Sequence, residues 1–403
     1  MSTKNKIVVI GAGYVGLPAA LMWASAGKTV IAVDINEKVV RAINEGIVPI
    51  HEPELQDLLR DERVQRNLVA QDTVTEGDVF VIAVPTPIDP LKKVADLRHV
   101  ISAVESICPH LRPGNLILVE STVPPLTCRN LLRPLIEKLT GLSIPGDLSL
   151  AYCPERILPG NIFHEIVHND RIIGGIDKIA GQQAAELYNS FVKGQLFQTD
   201  DLSAELAKLF ENTYRDVNIA LANEFASICD DLDLNVRGVI ELANRHPRVN
   251  ILKPGIGVGG HCIPFAPWFL HEIAPYNSRL ITTGRLINDE MPGRVAGKIR
   301  RAVRFVADPA VVLIGATYKR NSEDVRESPG IRVFDLLKED GYRVSLYDPF
   351  IPDWNYGSIV EVARDADLLG ILVAHDTVVS ELRESLREVL GAMRTPQVIF
   401  FDE

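Results

Sequence analysis

Two Rossmann-like, doubly wound α/β domains joined by a central helical domain are what this sequence predicts, on three observations. Short β-branched runs alternate with amphipathic segments in the first half and again near the end, the mark of parallel sheets covered by helices. Between them, residues 204–232 carry apolar positions at helical spacing with neither Gly nor Pro, which predicts one long helix. At 403 residues the chain is also too long for a single hydrophobic core.

The elements follow in order. Residues 7–10 (IVVI) form a first strand that runs into a glycine turn, and an Ala-rich helix covers about 15–26. Residues 29–33 form a second strand ending in Asp34, with further strands at 79–84, 116–120 and 149–152. After the long helix comes a second one over 236–244, then a Gly/Pro-rich loop at 253–260. From about Gly293 the α/β rhythm returns, with strands at 311–315, 344–347, 368–373 and 398–401. The domain bounds that follow are 1–200, 201–296 and 297–403. No internal sequence repeat suggests a solenoid.

Composition narrows the partners. A net charge of −11, with no interleaving of aromatic and basic residues, argues against nucleic acid. No run is long and apolar enough to span a bilayer, and residues 1–6 lack the apolar core of a secretory signal. A cytoplasmic protein with no membrane partner is the expectation. The five cysteines show neither metal-ligand spacing nor a paired framework, so they read as free thiols and no metal is expected.

The chemistry concentrates in a few stretches. Gly11-Ala12-Gly13-Tyr14-Val15-Gly16 follows a strand and opens a helix, where glycines permit a tight turn and close approach of backbone to a pyrophosphate. Asp34 ends the next strand, where its carboxylate accepts from a ribose 2′-hydroxyl and repels a 2′-phosphate, favouring NAD over NADP. Thr86 and Thr122 lie in loops at the ends of later strands, where their hydroxyls can reach the same cofactor or merely cap a turn. Residues 255–262 place four glycines just before Cys262, a density that reads as backbone meeting a ligand and not as packing. A thiol there suits attack on an aldehyde, whereas Cys108, Cys128 and Cys229 read as buried and structural. Lys208, Asn212 and Arg215 share one helical face, either as donors to a developing oxyanion or as a solvated surface. His246 and Arg248 belong to a second cationic cluster that either holds a diphosphate or is surface charge.

Together these stretches resemble the UDP-glucose/GDP-mannose dehydrogenase family across nearly the whole chain. The matching runs are GAGYVGLP at 11–18, VPTP at 84–87, ESTVPP at 120–125, YCPERILPG at 152–160, GVGGHCIP at 257–264 and YKRNSEDVRESP at 318–329. The resemblance implies an N-terminal NAD-binding domain, a central dimerisation domain and a C-terminal nucleotide-sugar domain, assembled as a homodimer. It implies NAD-dependent, four-electron oxidation of a UDP-sugar C6 alcohol to the uronic acid, through a thiohemiacetal and a thioester on Cys262. Within the family, the runs 211–224 and 244–255 look most like members that act on UDP-N-acetyl-D-mannosamine, which implies that sugar as substrate and UDP-N-acetyl-D-mannosaminuronate, a polysaccharide precursor, as product. UDP-N-acetylglucosamine or UDP-glucose are the alternatives, as is a catalytically impaired nucleotide-sugar-binding regulator.

Residue by residue, the resemblance makes Lys208 the proton carrier and oxyanion partner, assisted by Asn212, with Glu155 positioning a water. Arg156, Ile157, Lys208, Asn212, Arg215, His246, Arg248, Gly259, Tyr318 and Lys319 match substrate contacts. Gly11, Gly13, Tyr14, Val15, Gly16, Asp34, Thr86, Thr122 and Arg326 match contacts to NAD. The chain departs from the family pattern just after Cys262, where Phe265 and Ala266 replace a frequent Lys and the usual Asp. That loss puts the second half of the reaction in doubt.

Overall fold

A computed structural model describes residues 5–401 except 51, 90, 158 and 159. Residues 1–4, read above as the start of a signal-free N-terminus, and residues 158 and 159 of the run 152–160 lie outside the described residues. The chain forms two compact units, Met1–Phe210 and Glu211–Glu403.

In the first unit, eight strands among the described residues make one sheet. They are β1 (Lys6–Ile10), β2 (Thr29–Val33), β3 (Leu68–Gln71), β4 (Val79–Ile82), β5 (Leu116–Val119), β6 (Ser149–Tyr152), β7 (Arg171–Gly175) and β8 (Leu196–Asp200). Their spatial order is β3-β2-β1-β4-β5-β6-β7-β8, with β7 antiparallel to β6 and every other neighbouring pair parallel. Both faces are covered: Ile7 and Val9 point into one apolar layer, Val8 and Ile10 into the other. Burial on both sides is why the central strands β1, β4 and β5 read as apolar runs.

The second unit holds a smaller parallel sheet of β9 (Ala310–Ile314), β10 (Arg343–Tyr347), β11 (Leu368–Ile371) and β12 (Val398–Phe400), in the order β10-β9-β11-β12. It is also sandwiched, with Val312 and Ile314 in one layer and Val311 and Leu313 in the other. The two Rossmann-like sheets and a long central helix, Asp201–Asp231, are therefore the architecture expected. One expectation needs correcting. The α/β rhythm does not resume at Gly293, because the helix Arg279–Val303 runs through it with Pro292 in its interior.

That helix is clamped to the long one by buried polar groups. Arg285 pairs with Asp216, and Asn288 donates to the Asp216 carbonyl at 2.8 Å and accepts from Asn223 at 2.9 Å. Asn223 in turn accepts from the Gly255 N–H at 2.9 Å, which anchors the start of the glycine loop.

Candidate active site

The glycine turn after β1 is built as the spacing requires. Gly11 has φ +94°, and a Cβ there would sit 2.5 Å from the Ala83 carbonyl oxygen. A Cβ on Gly16 would meet the Gly11 oxygen at 1.9 Å, whereas Gly13 faces open space. Asp34 holds this turn: it accepts from the Ala12 N–H and from the Asn36 N–H, each at 2.9 Å. Each carboxylate oxygen keeps a second lone pair, so a ribose hydroxyl can still be accepted. The open, side-chain-free approach at Gly13 beside a fixed carboxylate fits a dinucleotide.

Thr86 and Thr122 meet at the ends of β4 and β5, where the Thr86 hydroxyl donates to the Thr122 carbonyl at 2.6 Å. Its proton is therefore committed to the protein, and only its lone pairs remain for a ligand. Tyr14 is half-buried against the apolar layer, and Val15 precedes the first turn of the helix Gly16–Ser25.

A turn of the same design follows β9. Gly315 has φ +104°, its N–H donates to the Tyr347 carbonyl at 2.9 Å, and the Ala316 N–H donates to Asp348 at 2.7 Å. There the carboxylate is spent internally. His375 accepts from the Asn321 N–H at Nδ1, so its Nε2 carries the proton and donates to Asp348 at 3.1 Å, both side chains fully buried. The repeat escaped the sequence because it lies in backbone geometry around a few residues.

Beyond β6 sits a buried charged cluster. The Glu155 carboxylate accepts from the Arg156 N–H at 2.8 Å and pairs with Arg171, while the Glu155 carbonyl accepts from Lys208 Nζ at 2.6 Å. Arg171 also stands 3.6 Å from Glu120, which accepts from the Tyr188 hydroxyl. Burial pushes the Glu120 carboxyl up to about 7 against the pull of Arg171, and it raises the Cys153 thiol as well. Arg156 donates to the Asp170 carbonyl, and Ile157 packs on the apolar layer.

Farther along the long helix, Asn212 is fully buried and accepts from Arg215 at 2.8 Å. Its Nδ2 has no hydrogen-bond partner among the described residues. An unmade bond on a buried amide is costly unless a ligand supplies the acceptor.

In the second unit Cys262 is exposed, while the other four cysteines are buried. Its loop packs closely at Gly257, Gly259 and Gly260, so packing accounts for three of the four glycines expected to resist that explanation, while Gly255 meets nothing within 4 Å. A Cβ on Gly259 would fall 2.5 Å from Tyr318 Cβ and 2.7 Å from the Glu327 oxygen, and one on Gly260 would lie 3.0 Å from the Tyr318 ring. The Gly260 N–H donates to the Arg326 carbonyl at 2.9 Å, so it is not free for an oxyanion. The glycines let the cysteine loop lie flat on residues 318–329. Tyr318 and Arg326 thereby come into electrostatic range of the Cys262 sulfur. Burial raises the Tyr318 hydroxyl to about 12, keeping it a proton donor.

Arg326 is forked onto Asp324, with contacts of 2.9 and 2.6 Å. Burial, then Arg326, lowers His261 from 6.5 to about 4, so its ring is neutral near pH 7. Ala266 is fully buried at the start of the helix Ala266–Ile273, and the Phe265 ring meets His261 edge-on at 5.1 Å. The two positions where the resemblance implies a Lys and an Asp are thus buried apolar residues. Lys319 is half-buried, its carbonyl accepting from Thr317, while His246 and Arg248 are exposed after the helix Val236–Ala243. Sequence reasoning missed Arg171, Glu120, Tyr188, Asp324 and His261. An Arg opening an otherwise apolar strand was the one signal available for Arg171.

Comparison with known proteins agrees along the chain. Residues 5–192, 202–290 and 312–402 match the NAD binding domain, central domain and UDP binding domain of the UDP-glucose/GDP-mannose dehydrogenase family. A UDP-N-acetyl-D-mannosamine dehydrogenase of Methanococcus maripaludis is 44% identical, over 98% of this chain and 92% of the relative. The solved UDP-D-ManNAc dehydrogenase of Pyrococcus horikoshii superposes with a TM-score of 0.93 at 38% identity, covering 99% of this chain and 95% of the other. The UDP-N-acetyl-mannosamine dehydrogenase of Staphylococcus aureus gives 0.89 at 40%, covering 98% and 94%. Among the described residues, no helix is long and apolar enough to cross a membrane.

Proposed function

The chain belongs to the UDP-glucose/GDP-mannose dehydrogenase family, and from that premise we propose that it oxidises UDP-N-acetyl-D-mannosamine at C6 to UDP-N-acetyl-D-mannosaminuronate. It is an NAD-dependent UDP-sugar dehydrogenase. The observation that carries the covalent route is Cys262, the exposed cysteine, set on a loop fastened beside Tyr318 and Arg326.

Gly11, Gly13, Gly16 and Asp34 would hold NAD, which when bound would supply the hydride acceptor for each of the two oxidations. The chain's own groups handle protons and the acyl carbon. Lys208 takes the proton of the C6 hydroxyl as the alcohol becomes an aldehyde, and its charge then offsets the oxyanion. The Cys262 thiolate adds to the aldehyde carbon, forming a C–S bond that retains the reactive intermediate. The spare Asn212 Nδ2 donor offers the hydrogen bond its burial demands to the same oxygen. Oxidation of the thiohemiacetal leaves a thioester, and a water aligned by Glu155 cleaves it, releasing carboxylate and restoring the thiol. One alcohol, one water and two NAD⁺ would yield one carboxylate, two NADH and three protons.

Roles as substrate contacts go to Arg156, Ile157, Arg215, His246, Arg248, Gly259, Tyr318 and Lys319. Contacts to NAD go to Tyr14, Val15, Thr86, Thr122 and Arg326. Residues 1–200, 201–296 and 297–403 would act as NAD, dimerisation and nucleotide-sugar domains of a cytoplasmic homodimer.

The test is NADH formed per UDP-sugar consumed, for UDP-N-acetyl-D-mannosamine and its glucose relatives, with Cys262→Ser alongside. Two NADH per sugar, lost or arrested midway in the variant, is the expected result. One per sugar would remove Cys262 from the chemistry. Tight binding of NAD and sugar nucleotide without NADH would favour the regulator, with Ala266 in place of the Asp as its cause.

A further inference from the structure

The sheet of the first unit contains one antiparallel step, and its register has a chemical result. Ala151 pairs with Gly175 and Tyr152 with Gly174, so continuing the ladder brings Glu155 opposite Arg171. The Arg171 side chain is only 4% exposed, and it pairs with Glu155, which is 5% exposed. It also lies 3.6 Å from Glu120 and 4.3 Å above the Tyr188 ring centre. One guanidinium thus serves two buried carboxylates, and the Tyr188 hydroxyl bonds to the one that Arg171 holds less closely.

From this geometry we infer that Arg171 is a positioning residue for the dehydrogenase site. It fixes the Glu155 carboxylate from one side, and the same residue's carbonyl holds the Lys208 ammonium. Without the guanidinium, the Glu155 carboxylate would be left without its ion-pair partner in a buried site, and the Glu120 carboxyl, already raised by burial, would lose the charge that holds it down. The Glu155 segment would then move, and Lys208 would lose its fixed acceptor. Arg171 reaches no reacting atom, so its effect passes through Glu155. The inference rests on the roles given above to Glu155 and Lys208.

The test is a double-substitution cycle with Arg171→Met, Glu155→Gln and the pair, measuring kcat and both KM values per folded site, with melting temperatures as the folding check. Arg171→Met is expected to lower kcat by about 10- to 100-fold, the scale of a misplaced catalytic group, with KM values little changed. The pair should be no slower than Glu155→Gln alone. Losses that multiply, or a folded Arg171→Met of normal kcat and reduced melting temperature, would overturn the inference. If Arg171→Met does not fold, Arg171→Lys keeps the charge but loses the fork, and the same non-additivity is expected. A wild type inactive on every UDP-sugar would instead defeat the proposed function, and this inference with it.

Discussion

Gly259→Ala tests whether glycine is needed in the cysteine loop for packing or for contact with a ligand. The new Cβ would lie 2.5 Å from Tyr318 Cβ, 2.7 Å from the Glu327 oxygen and 3.0 Å from Pro329 Cδ. Carbon pairs rest at about 3.5–4.0 Å, so residues 318–329 must retreat by about 1 Å. None of the three atoms is the free end of a flexible chain, which places the cost near the top of the overpacking range, about 3 kcal/mol. For a unit of this size that is about 6–12 °C in melting temperature. Gly255→Ala is the internal control: nothing lies within 4 Å of its Cβ, and its N–H keeps the Asn223 bond. It should stabilise by about 0.4–1 kcal/mol through the unfolded chain. Calorimetry of the full chain reads both, and the rate of Cys262 alkylation reports whether the loop has lifted. Equal melting of the two variants with equal alkylation would refute the packing argument and return the glycines to a ligand-binding role.

Four other outcomes follow from the structure. Asp34→Ala removes the acceptor for the Ala12 and Asn36 N–H groups and a ribose hydroxyl; calorimetric titration should show NAD binding weakened about 10- to 100-fold, with NADP less affected. Asp216→Ala leaves the Arg285 cation, which is 1% exposed, with the half-exposed Asp289 as its remaining carboxylate partner, and should cost about 3 kcal/mol in urea unfolding, the low end for breaking a buried pair. Glu62→Ala, at an open surface pair with Arg66, should change stability by no more than about 0.5 kcal/mol. His261 is held neutral, with its value lowered from 6.5 to about 4. Between those two values the unfolded chain binds a proton that the folded chain refuses, so this stabilisation is complete above pH 6.5 and fades as pH falls toward 4. Urea midpoints across that window should fall less steeply in His261→Phe than in the wild type; parallel slopes would contradict the assignment.

The sequence by itself determined the fold class and the position of most strands, because strands buried on both faces must be apolar throughout and periodicity is a local property. It also located the long helix, the glycine turn with Asp34, and Cys262. It did not reveal β3, β7 or β8: β3 is a four-residue edge strand with Val69 exposed, β7 opens with Arg171 and ends in two glycines, and β8 leaves Phe197 exposed. The tertiary structure alone decided which groups share an environment. Glu155 and Arg171 are sixteen residues apart and meet only because one strand runs antiparallel. The cysteine loop needs its glycines because Tyr318 and Glu327 lie against it, more than fifty residues along the chain. Asp34 and Asp348 end similar strands, yet one keeps lone pairs for a ligand and the other is consumed by His375. Burial, charge pairing and close approach depend on contacts between distant segments, and no local pattern of residues encodes them.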